Sequence, residues 1–163
     1  MLKIRLVIAS LVLALILPAA STLLAQTANG APAAPRPTQI FTAKKVFISN
    51  AGDDFDSNLW SGGPDRAYNE FYAGIKSWGR YELVGVPSDA DMVFEFSLIG
   101  TPLPNALFRV VLRDPKTHVA LWSVSEGIPL GLKKTRDKGF DDAINKLIDD
   151  LQALTAQPAA AAN

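Results

Sequence analysis

Residues Asp91 to Leu98 alternate without a break. Met92, Phe94, Phe96 and Leu98 fall on one side of an extended chain; Asp91, Val93, Glu95 and Ser97 fall on the other. A period of two with bulky apolar residues on one side is the pattern of a half-buried strand. Phe108, Val110 and Leu112 repeat it against Arg109 and Arg113. Asp114-Pro115-Lys116-Thr117-His118 then reads as a tight turn, because proline at the second position presets the backbone angle. Val119 to Glu126 is the returning strand. Residues Asp91 to Glu126 are therefore predicted to form a three-stranded antiparallel meander.

The other elements follow from composition and spacing. Lys45-Val46-Phe47-Ile48-Ser49 is a short run of strand formers. Asn50 to Gly63 is polar and glycine-rich, hence a loop. Pro64 suits a helix start. Tyr68, Phe71, Tyr72, Ile75 and Trp78 then recur at helical spacing, and Gly79 suits the helix end. Arg80 to Val84 reads as a second short strand. A last helix, from about Asp137 to Leu154, carries the stripe Phe140, Ile144, Leu147, Leu151 and Leu154, widened by Ala143 and Ile148. The order is strand, helix, four strands, helix. Arg109, Glu95 and Arg113 mark one sheet face as polar, so both helices are expected on the other. That is a two-layer α+β sandwich.

The ends of the chain bear on where it works. Met1-Leu2-Lys3-Ile4-Arg5 is basic, and Leu6 to Leu17 is apolar apart from Ser10. Pro18, Ala19, Ala20 and Ser21 follow, with Leu23-Leu24-Ala25 as a cleavage site. That order is a secretory signal peptide covering residues 1–25. Residues 26–43 are rich in alanine and proline and read as a linker. The folded domain is placed at 44–155, and 156–163 form an alanine-rich tail expected to be disordered. The expected location is periplasmic or secreted, with no membrane span after signal cleavage; a retained signal acting as an anchor is the alternative.

Of 16 basic residues, the signal removes Lys3 and Arg5, leaving 14 against 16 acidic ones. A near-neutral surface gives no electrostatic reason to bind nucleic acid. The chain has no cysteine. An exported domain of this kind must hold itself by burial alone, and it offers no thiol for lipidation.

Lys44-Lys45-Val46-Phe47-Ile48, Tyr81-Glu82-Leu83-Val84, Ala90-Asp91-Met92-Val93-Phe94-Glu95 and the hairpin Val110 to Ser123 together carry a resemblance. The chain resembles a group of bacterial envelope domains. They include the periplasmic domain of the curli-secretion channel family, the amino-terminal domain of the Tol-system propeller protein, and lipoprotein activators of peptidoglycan synthases. It also looks like uncharacterised exported proteins of soil bacteria. The motifs that carry the resemblance are structural. It implies a non-catalytic domain that works through contact with another envelope protein. Two departures stand out: the lipid-anchoring cysteine of many members is absent, and so are the channel-forming segments of the curli family.

Each candidate site has a plainer role beside it. Asp54, Asp56 and Asn58, with Asp65 in the twelfth position, have the oxygen spacing of a calcium loop. Leu59 stands where that loop needs glycine, and Asp65 is shorter than the bidentate glutamate, so no metal site is assigned. His118, the one histidine, sits in the hairpin turn. A catalytic role needs an oriented partner; tolerance of a left-handed backbone is the simpler reason for it. No catalytic residue and no cofactor is expected. The connection Gly100 to Asn105 and the segment Gly127 to Leu132 must lie at the same end of the meander. Leu103, Ile128, Leu130 and Leu132 converge there, with Lys133 and Lys134 beside them. Either they form a docking patch for an envelope partner, or they fold over the open edge of the core. Trp60, in a loop, could anchor a partner or cap the sheet edge. An envelope hydrolase or a small-ligand-binding protein is the alternative function. The oligomeric state is not legible in the sequence.

Overall fold

The computed structural model describes residues 34–53, 59–100 and 106–156. The signal segment, most of the alanine-rich tail, Asp54, Asp56 and Asn58 of the acidic loop, and Leu103 lie outside the described residues.

A short helix α1 (Gln39–Thr42) precedes β1 (Lys45–Asp53), α2 (Arg66–Trp78), β2 (Glu82–Leu83), β3 (Met92–Gly100), β4 (Ala106–Arg113), β5 (Ala120–Ile128) and α3 (Lys133–Thr155). The five strands form one mixed sheet in the order β2-β1-β3-β4-β5. β1 runs parallel to β2 and β3, while β3, β4 and β5 are antiparallel neighbours. The predicted meander is present, and the molecule is a two-layer α+β sandwich.

Alternation decides which side is buried. Met92, Phe94, Phe96 and Leu98 on β3, and Phe108, Val110 and Leu112 on β4, are at most 2% exposed. Helix α2 adds Phe71 and Ile75, and α3 adds Phe140, Ala143, Ile144, Leu147, Ile148 and Leu151. Ring contacts stitch the layers together. Phe71 of α2 stacks on Phe96 of β3 at 4.6 Å, and Phe140 of α3 meets Phe108 of β4 edge-on at 4.9 Å. On the other face, Arg113 grips Glu95 with two bonds, at 2.8 and 3.1 Å.

Local chemistry sets the boundaries. Gly79 ends α2 at φ 71°, a left-handed cap glycine adopts readily. His118 also has a positive φ, 59°, in the hairpin turn, which is the backbone role read from the sequence. Asp114 builds that turn by accepting the amides of Lys116 and Thr117 at 2.7 and 2.9 Å. α1 lies inside the stretch read as linker. Its Ile40 is fully buried, and Arg36 before it donates to the Leu154 carbonyl, so the packed body reaches back beyond Lys44. α3 begins a turn earlier than the apolar stripe indicates. Lys133, Lys134 and Arg136 are therefore inside its first turns rather than ahead of them.

Candidate functional site

The strand ends meet as the connectivity requires. Gly100 pairs with Ala106, and Ala106 pairs with Ile128, so these ends of β3, β4 and β5 lie at one end of the sheet. The individual side chains divide, however. Ile128 is 3% exposed and belongs to the core. It ends β5 on the helix-facing side, the side shared by Val124, so its place in a docking patch is corrected to a core position. Leu130 is half-buried and packs against the same core. Leu132, the residue just before α3, is 72% exposed. Lys133 and Lys134 beside it are exposed as well.

Trp60 is not open to a partner either. It is 6% exposed, with its ring 5.3 Å from that of Phe140. Its loop is pinned to the start of α3. The Ser61 amide and hydroxyl both donate to Asp137 at 3.0 Å, and Arg136 donates to the Leu59 carbonyl at 3.3 Å. The Ser61 bonds, with help from Arg66, hold the Asp137 carboxyl below its usual range.

Arg66 organises this corner, and sequence reading passed over it. Its side chain is 13% exposed and reaches Glu70 at 2.6 Å, Asp137 at 2.9 Å and Asp141. It also donates to the Ser61 carbonyl at 3.0 Å and lies over the Phe140 ring at 4.3 Å. One weak signal was available: Asp137 and Asp141 stand one helical turn apart on α3. Nothing in the sequence ties them to a residue some 70 positions earlier. The arrangement ties α2, α3 and the Trp60 loop together.

Elsewhere, a shallow cleft of about 310 Å³ lies between α1, the start of β3 and the hairpin turn, lined in part by Gln39, Lys44, Asp91, Asp114 and Lys116. Its two carboxylates are already engaged. Asp91 accepts the amides of Lys44 and Lys45 at 2.9 Å each, and those bonds hold its carboxyl below the usual range. The amides of Thr117 and Lys116 do the same to Asp114. The cleft is thus a built corner of the fold. No group of three or more His, Cys, Asp or Glu side chains able to hold a metal ion occurs among the described residues. Nor is any helix among them long and apolar enough to cross a membrane.

No protein-family model matches the chain, and no curated protein matches it. Among solved structures it is similar to PelC from Paraburkholderia phytofirmans, described as a dodecamer in two crystal forms. One, a single-substitution variant, has 14% identity over 67% of this chain and 88% of that one, with a TM-score of 0.49. The other has 14% identity over 71% and 89%, with a TM-score of 0.47. Lipoprotein GNA1162 from Neisseria meningitidis has 14% identity over 68% of this chain and 99% of that one, with a TM-score of 0.39. These are loose likenesses of chain path, and no residue role is carried over from them.

Proposed function

We propose that the chain is an exported, non-catalytic domain that binds another protein of the bacterial envelope. Residues 1–25 direct export in this reading, and the alanine- and proline-rich residues after them give the domain reach. The observation that carries the reading is the corner between β5 and α3. Leu132 is a large apolar side chain 72% exposed to water. Lys133 and Lys134 follow it in the first turn of a helix that has no acidic residue there. The field at a helix start favours anions, so this placement works against the helix. Folding alone does not call for exposed leucine and clustered cations there, whereas a partner with an apolar pocket and an acidic rim does.

A photocrosslinking residue placed at Leu132 tests the proposal. Val119, 58% exposed at the opposite end of β5, is the control position. In envelope fractions, Leu132 should give a discrete adduct that Val119 does not give, and Lys133→Glu with Lys134→Glu should abolish it. Equal labelling from both positions would sink the docking role of this corner.

A further inference from the structure

Among the described residues, β5 stands at the end of the sheet and pairs with β4 alone. It is nine residues long, longer than the five or six of a typical strand. A long free edge presents a row of backbone donors and acceptors to any passing strand. Proteins that stay monomeric blunt such edges with lysine, proline, bulges or very short strands. The opposite edge follows that rule, since β2 has two residues. β5 does not. Ala120 to Ile128 contains no lysine, arginine or proline, and its register shift is confined to the Ala120 end. Its one charge, Glu126, is neutralised by Lys146 at 2.8 Å.

We infer that β5 pairs with β5 of a second copy, antiparallel and centred on Val124, joining two sheets into one. The occupant follows from self-complementarity. A two-fold axis through Val124 sets Ser123 opposite Ser125 of the other copy, twice. Both serines are exposed, on the face away from the helices, where they can exchange hydrogen bonds across the strands. The same register sets Leu121 against Gly127 and Trp122 against Glu126, so no like charges face each other. Directly opposed residues point to the same side of a sheet, so the helical layers of both copies stay on one face. The contact is one strand wide and falls short of the roughly 1,200–2,000 Å² of stable complexes. It therefore gives a weak, concentration-dependent dimer, independent of the Leu132 corner.

A charge-swap pair tests the register. Ser123→Glu with Ser125→Glu places Glu against Glu at both sites. Ser123→Lys with Ser125→Glu places Lys against Glu. Both share Glu at 125, opposite Arg109 within the chain, and differ only at an exposed position, so thermal melts should show both folded. Sedimentation equilibrium from about 1 µM to about 1 mM, the range of weak association, is the measurement. The unaltered protein should approach twice its monomer mass. The Glu/Glu variant should remain monomeric, and the Lys/Glu variant should associate at least as well as the unaltered protein. A monomer throughout, or equal association of the two variants, overturns the inference. So does an edge occupied only by a different protein.

Discussion

Arg66 on α2 and Asp137 on α3 stand 71 residues apart in the chain and meet at 2.9 Å, joining the two helices. The same carboxylate receives Ser61, so a single acidic side chain ties the Trp60 loop to both helices.

Arg66→Met keeps the aliphatic stem over Phe140 and removes the charge. The carboxylates it leaves are partly exposed, at 36%, 50% and 48%, and water can resolvate them. The expected loss is therefore about 1.5–3 kcal/mol, the range for hydrogen bonds to charged groups, and not the larger penalty of a fully buried orphan. Urea denaturation reads it. An unchanged midpoint would mean the network is ornamental.

Phe96→Ala should cost about 3–5 kcal/mol, the usual range for deleting a buried ring. Phe96 is 1% exposed and lies between Phe71 and Phe108, with ring separations of 4.6 and 5.7 Å. A loss under about 1 kcal/mol would show that the site collapses without a cavity.

The burial of Phe96 was legible in the sequence because strand alternation and helical spacing are local. So was the meander, whose strands are joined by short connections. The insertion of β1 between β2 and β3 was not legible, since parallel neighbours leave no mark on nearby residues. Arg66 was missed for the same reason: its partners on α3 are distant in sequence. Ile128 reads as a partner contact because its segment is apolar and converges with another connection, and Trp60 because it is an aromatic in a loop. Trp60 is buried against Phe140, and Ile128 lies within the same core, through contacts between segments distant in sequence.

Acid should unfold the domain through three carboxyls. Backbone amides hold Asp91, Asp114 and Asp137 below the usual aspartate range. A depressed folded value stabilises above the unfolded pKa of about 3.9, and that contribution is lost as pH falls through the folded value. Denaturant midpoints should thus hold steady above about pH 5 and decline below about pH 4. Asp91→Asn should lower stability at neutral pH and flatten the acid limb. An acid limb as steep as before would remove Asp91 from the account.

Gly74 marks the close approach of α2 to α3. A Cβ there would clash with Cδ1 of Ile148. Gly74→Ala gains about 1 kcal/mol of helix propensity but overpacks the contact, typically by about 1–3 kcal/mol. The net change should be destabilising. In an Ile148→Val background, which removes the offending methyl, Gly74→Ala should become neutral or stabilising. Additive effects of the two substitutions would refute the contact.

Leu130 and Leu132 are two residues apart and should respond oppositely to charge. Leu132 is 72% exposed, so Leu132→Asp adds a charge in water and costs little folding energy. An acid just before α3 also suits the field at the helix start. Leu130 is half-buried against the core, and a carboxylate there loses hydration without gaining a partner. Leu130→Asp should lower the melting temperature by several degrees, while Leu132→Asp should leave it within about 2 °C, given that 1 kcal/mol moves a domain of this size by about 3–5 °C. Crosslinking from a neighbouring exposed position should behave the other way at equal folded fraction. Leu132→Asp should suppress partner capture, and Leu130→Asp should retain it below its melting point. The two readings of this corner, docking patch and core lid, thus separate onto two residues of one segment. A fall in melting temperature for Leu132→Asp would return Leu132 to the lid and leave the corner without an apolar contact to offer.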